Sequence, residues 1–192
     1  MGLHKVLQRI AHWRVVLVIA LLCVCIAAFG DAARELLRYE RVVIAEGEYW
    51  RLLSGHFAHL GYPHLALNLA GLLLVWLLVG RLYSTWRWLL VAAFSMVVMD
   101  AGFWFLDSEM RWYVGLSGLL HGLLLAGAIA GIRSLPVESI VIAALVVAKL
   151  AYEQIVGPLP GSESVAGAAV VVNAHLYGAI GGALAAAVIM RW

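Results

Sequence analysis

Near-continuous apolar sequence dominates this chain in six blocks, roughly 14–30, 63–80, 88–106, 115–132, 137–156 and 169–190. Each is close to the ~20 residues that an α-helix needs to cross the hydrocarbon layer of a bilayer. Residues 31–62 form the one long connection and hold most of the charge. The other connections are brief, and Pro136, Pro158 and Pro160 mark two of them. Lys5, Arg9 and Arg14 precede the first block in the manner of a signal peptide. No small-residue cleavage site followed by a soluble domain comes after it, so it is read as a retained first helix. The pattern predicts an all-α polytopic membrane protein, a single domain over 1–192 with six transmembrane helices. No internal repeat or low-complexity segment interrupts it.

Composition sharpens the class. The 192 residues are 65% hydrophobic and 12% charged, with a mean hydropathy of +0.97. A soluble domain carries about twice that share of charge. A net charge of +2 without a long basic run excludes a nucleic-acid partner. Cys23 and Cys25 lie two apart in an apolar helix, on different faces, and read as small packing residues.

Lys and Arg give the orientation. One set of ends and connections holds Lys5, Arg9, Arg14, Arg81, Arg87, Arg133 and Arg191. The other holds Arg34, Arg38, Arg41, Arg51 and Arg111 among most of the acids, Glu153 and Glu163 included. The first set includes both termini, which are therefore expected in the cytoplasm. The second, fourth and sixth helices then start on the outer side. His64 and Asn68, Ser117, and His175 lie near those starts, one group per helix. At 1.5 Å rise per residue, Ser117 and His175 both fall about 9 Å below the outer surface.

Two stripes of small residues bring these helices together. Gly118, Gly122, Ala126 and Ala130 recur at four-residue spacing, as do Ala174, Gly178, Gly182 and Ala186. Such stripes let backbones approach closely. Ser117 precedes the first stripe and His175 follows the first residue of the second. A serine hydroxyl becomes a nucleophile when a base takes its proton, and imidazole suits that role. No acid lies near either residue in sequence, so the expectation is a Ser–His dyad without a carboxylate. His64 and Asn68, at i and i+4, share a face and offer oxyanion donors; structural hydrogen bonds between helices are the alternative. His121, one turn after Ser117, is placed to stack on His175 or, less favourably, to act as the base.

His56, His59 and His64 raise a metal question. No HExxH motif or thiol cluster completes a site, and no metal or cofactor is expected. Asp100 and Lys149 are charges at similar depth and are candidates for an ion pair.

These residues carry a resemblance. Gly115-Leu116-Ser117-Gly118, with Ala174-His175-Leu176-Tyr177-Gly178 downstream, resembles the rhomboid intramembrane serine proteases. His64-Leu65-Ala66-Leu67-Asn68 matches that family's HxxxN element, and Trp50-Arg51 its Trp-Arg pair in the first outer loop. The strings Gly47-Glu48-Tyr49-Trp50-Arg51-Leu52-Leu53-Ser54-Gly55-His56-Phe57 and Gly115-Leu116-Ser117-Gly118-Leu119-Leu120-His121-Gly122 are similar to the rhombosortase branch. The resemblance implies a rhomboid-like bundle in a bacterial inner membrane, opening to the periplasm. It implies Ser117 as nucleophile, His175 as general base, and His64, Asn68 and the Ser117 N–H as the oxyanion hole. It also implies, as partners besides the lipid bilayer, exported proteins with a C-terminal Gly-Gly, hydrophobic and basic tail, cut by hydrolysis or with transfer to a new group. In the wider family the position of His121 is more often an aromatic that packs on the base. One departure is Val170, where many rhomboids have glycine; its branched side chain is expected to widen the upper seam. A general rhomboid protease, a non-catalytic rhomboid-like client-binding protein and a small transporter are the other readings.

Overall fold

The computed structural model describes residues 13–167 and 169–191. Lys5 and Arg9, on which the orientation rests in part, lie outside them. In chain order the elements are α1 (Trp13–Ala28), α2 (Gly30–Leu37), β1 (Tyr39–Glu40), α3 (Arg41–Ala45), α4 (Arg51–Ser54) and α5 (Tyr62–Val79). There follow α6 (Thr85–Phe105), β2 (Trp112–Tyr113), α7 (Ser117–Gly131), α8 (Pro136–Ile155), α9 (Ser162–Ala166) and α10 (Val172–Ile189). A helix stands at each of the six apolar blocks. Three of them, α5, α6 and α10, are long and apolar enough to cross a membrane. A fourth is added if α1 and α2, bent by 116°, make one span. α7 has 15 residues, and α8 carries Glu138, Lys149 and Glu153 in its 20.

The long helices other than α8 are apolar around most of their circumference, so burial decides which face is which. On α1, Val15, Val16, Ile19 and Cys23 are buried, while Leu17, Val18 and Leu21 are 62–65% exposed. Residues spaced by three and four share one side of a helix, so α1 buries one stripe and shows another apolar stripe outward. Leu74 and Leu77 on α5, Val97 on α6 and Leu145 on α8 are likewise exposed. An apolar surface of this kind is expected of helices that face lipid rather than water. Cys23 is buried and Cys25 exposed, and neither is in a disulfide.

α10 sits at the centre. Its Gly178 and Gly182 lie on the backbone of α7: a Cβ built on Gly178 would strike the Gly118 carbonyl, and one on Gly182 the Gly122 carbonyl. The opposed surface meets α6, where the Tyr177 ring covers Gly102 and Gly181 lies on Ser95. The two small-residue stripes therefore do face each other. The widening expected from Val170 is absent. Val170 precedes the first turn of α10, its N–H donates to Glu163 Oε1 at 3.3 Å, and the Ala174 carbonyl lies 2.6 Å from a Cβ built on Gly118. The seam is closed at its upper end because the residue at 170 is not part of it.

The long connection is not a bare loop. β1 pairs antiparallel with β2, Tyr39 opposite Tyr113 and Glu40 opposite Trp112. Arg41 donates to the carbonyls of Phe103 at 2.9 Å and Trp104 at 2.7 Å, groups left without partners in the last turn of α6. Arg51 is buried and donates to Glu48 Oε2 at 2.6 Å and to the Glu35 and Arg38 carbonyls at 2.7 and 3.1 Å. Arg41 thus fastens the connection to the end of α6, and Arg51 ties the connection to itself at the end of α2. That fastening positions the turn before Ser117.

Candidate functional site

Ser117 opens α7 after a constrained turn. Gly115 has φ +135°, a conformation in which a side chain is strained. It also has no room for one, since a Cβ there would lie 3.1 Å from His64 Cε1. The Gly115 N–H donates to the Gly55 carbonyl at 3.1 Å, and the Tyr113 hydroxyl donates to the Gly115 carbonyl at 2.6 Å. The turn is held from the long connection on one side and from β2 on the other.

His175 lies in the first turn of α10 and is buried. Its Nε2 is 3.0 Å from Ser117 Oγ. Its Nδ1 is 2.9 Å from Glu153 Oε2. A carboxylate only accepts hydrogen bonds, so this network assigns the ring proton to Nδ1 and the lone pair to Nε2. The Ser117 hydroxyl then donates to Nε2. The expectation of a dyad without a carboxylate is overturned: Glu153, 22 residues from His175 in sequence, is brought to it by the packing of α8 beside α10.

The candidate Asp100–Lys149 pair does not form. Lys149 Nζ lies 2.6 Å from Glu153 Oε1 and 3.3 Å from His175 Nδ1. Asp100 instead faces His56, with Nε2 3.2 Å from Oδ1. Proximity on adjacent turns of one helix explains the first pairing, because Lys149 and Glu153 are i and i+4.

His121 stacks on His175, with ring centroids 4.3 Å apart and planes at 21°. Its Nδ1 lies 2.7 Å from the Ser117 carbonyl, so it holds the backbone of Ser117 rather than the hydroxyl. Ligand atoms of His121, Glu153 and His175 all fall within 4.8 Å of one another. The Lys149 ammonium already fills the cation position on this carboxylate, and the Nδ1 of His175 carries hydrogen, so the donor set does not suit a metal ion.

His64 and Asn68 line the same cavity of about 580 Å³ as Ser117 and His175. His64 Nδ1 accepts from the Leu60 N–H at 3.5 Å, which makes Nε2 the N–H side of its ring. That edge lies over Gly115. The side-chain nitrogen of Asn68 is buried without a hydrogen-bond partner among the described residues. The three histidines of the metal question have separate partners. His59 Nδ1 donates to the Phe57 carbonyl at 3.0 Å while its ring meets His64 edge-on at 5.1 Å. Burial, and then the neighbouring His64, push the His59 pKa down to about 4, so it packs there as a neutral ring.

The cavity is apolar below the serine, where Gly71, Leu74, Leu120 and Leu124 line it, and is bounded above by Leu159, Ser162, Ala166 and Val170. A half-buried hydroxyl bonded to an imidazole lone pair, beside the unpartnered amide nitrogen of Asn68, is able to attack a carbonyl and hold the resulting negative charge.

Fold and site define an all-helical membrane protein with a serine and a histidine bonded at the ends of neighbouring helices. The Rhomboid domain profile matches residues 46–192, and the chain belongs to the rhomboid family. It is 32% identical over 80 residues to the putative rhomboid protease YdcA of Bacillus subtilis (strain 168), a match covering 42% of this chain and 40% of that protein. It is 44% identical over 52 residues to the rhomboid protease GluP of the same organism, covering 27% of this chain and 10% of that protein. The matched stretches thus span less than half of either relative. Membership, with three helices long and apolar enough to cross a bilayer, implies an integral membrane protein.

Proposed function

We propose that this chain is an intramembrane serine endopeptidase in which Ser117 is the nucleophile and His175 the general base. The observation that carries the reading is the 3.0 Å contact between His175 Nε2 and Ser117 Oγ at the wall of a cavity. In the first step Ser117 Oγ bonds to the scissile carbonyl carbon, its proton passes to His175 Nε2, and the C=O electron pair becomes an oxyanion. The Ser117 N–H, His64 Nε2–H and the Asn68 amide stabilise that charge; one such donor is worth about 10²–10³ in rate. The oxyanion pair then reforms C=O, the C–N bond breaks, and the His175 proton goes to the leaving amine. Water or an amine attacks the acyl-serine and gives its proton to His175; the acyl–Oγ bond then breaks and His175 returns that proton to Ser117 Oγ. An incoming amine makes the product a transfer product.

The architecture of this reading is six spans with both termini cytoplasmic and the site opening to the periplasm of a bacterial inner membrane. The substrates are those of the rhombosortase branch: exported proteins with a C-terminal Gly-Gly, a hydrophobic helix and a basic end. A peptide must be extended to reach a serine, and a Gly-Gly segment weakens the helix at that point. The strings around Trp50-Arg51 and Ser117 support the branch.

The test is cleavage in proteoliposomes of a model protein with such a tail, beside a version whose Gly-Gly is replaced by Leu-Leu. The proposal predicts cleavage of the first only, and none with Ser117→Ala. Equal cleavage of both points to a general rhomboid protease. A wild type that cuts neither substrate and fails to react with a fluorophosphonate would leave the non-catalytic reading.

A further inference from the structure

The cluster on α8 carries an inference that rests on the assignment of Ser117 and His175. We propose that Glu153 and Lys149 are a positioning pair for His175, Glu153 orienting the imidazole and Lys149 fixing Glu153. The neighbouring residues Leu145 and Val147 of α8 are exposed, as expected of a lipid-facing helix. Glu153, by contrast, has a side chain only 2% exposed. A carboxylate that merely paired with Lys149 one turn away would be free to turn outward with it. Instead its two oxygens are divided: Oε1 takes Lys149 Nζ at 2.6 Å, and Oε2 takes His175 Nδ1 at 2.9 Å.

Each contact has a chemical consequence. Bonding at Nδ1 selects the tautomer with a lone pair on Nε2, toward Ser117. Bonding at Oε1 prevents the carboxylate from rotating away and compensates its charge, which alone in a buried site is strongly unfavourable. With Lys149 charged, Glu153 ionised and His175 neutral, the cluster is neutral before reaction. It reaches +1 only when His175 holds the serine proton, as the oxyanion forms nearby. The other faces of His175 meet His121, stacked at 4.3 Å, and the Ser117 hydroxyl. Neither supplies a carboxylate. Lys149 Nζ also stands 3.3 Å from Nδ1, but an ammonium only donates, so Glu153 is the acceptor that sets the tautomer among the described residues.

The experiment compares Glu153→Gln, Lys149→Met and the double variant with wild type, by cleavage of the tailed substrate, by the rate of fluorophosphonate labelling and by thermal melting. Glu153→Gln is expected to lower kcat about 10²–10⁴-fold, with KM within about twofold and labelling slowed in parallel. Lys149→Met leaves the carboxylate uncompensated and is expected to lower both the melting temperature and kcat. The double variant removes both charges, so it should melt close to wild type yet keep the low kcat of Glu153→Gln. A double variant with wild-type kcat would overturn the proposal. So would loss of its melting transition, which makes the pair a scaffold, or a Glu153→Gln defect confined to KM. Ser117→Ala in the same series separates the two levels: cleavage surviving in that variant removes the assignment of the nucleophile itself.

Discussion

The two sides of α7 are built on opposite plans. Toward α10, backbone lies on backbone, and Gly118, Gly122, Gly178 and Gly182 leave no room for a single added carbon. Toward α5, α7 borders a cavity of about 580 Å³, and a Cβ built on Gly71 would meet only the end of the Leu120 side chain at 3.0 Å. The serine sits at the top of the tight side and faces the loose one. A hydrogen bond between residues on two helices needs the first kind of contact, since a small shift of either backbone would part Oγ from Nε2. Admission of a peptide needs the second.

The sharpest way to break this contrast is to add bulk to each side. Gly178→Val should cost about 3 kcal/mol or more, because neither backbone is able to retreat from the added methyl groups. Thermal melting should show an early or absent transition, and labelling of Ser117 should be lost with it. A melting temperature equal to wild type would mean that the seam is slack. Asn68→Ala, on the cavity side, should lower kcat about 10²–10³-fold as a lost oxyanion donor. Since its side-chain nitrogen has no partner to lose among the described residues, melting should be unchanged or higher. Wild-type kcat together with a lower melting temperature would make Asn68 structural.

Gly71→Ala should be nearly neutral for stability, within about 1 kcal/mol. The better helix propensity of alanine offsets the contact with Leu120. Its effect should fall on KM, because the methyl group enters the cavity. His121→Phe should change least, by less than about tenfold in kcat, as an aromatic ring keeps the stack on His175 and loses only the bond to the Ser117 carbonyl. A loss comparable to that of His175→Ala would return His121 to the role of base.

Much of the tight side was legible in the sequence, because four-residue spacing of small residues has one common cause in apolar helices. The six helices were legible for the same reason, as was the placing of Ser117, His64, Asn68 and His175 at the starts of alternate helices. The helical content of residues 31–62 was not. Its elements are three short helices and a two-residue strand, fastened by arginine contacts to distant carbonyls that no local pattern announces. Val170 misled because the resemblance set it against a glycine of the family's helix seam, whereas α10 here begins only at Val172. Glu153 was missed because it was counted among the outer-loop acids and sought near His175 only in sequence. The spacing of Lys149 and Glu153 was the available signal. An i, i+4 pair of opposite charges near the end of an apolar helix, at the depth assigned to the histidine, called for a buried partner.

The central claim is that Ser117 is an activated nucleophile. Its most direct test is fluorophosphonate labelling of the wild-type protein in membranes, with the modified residue located by mass spectrometry of its peptides. The account predicts a single adduct on Ser117 that is absent in His175→Ala. An adduct on another residue, or equal labelling of Ser117 without His175, would contradict it.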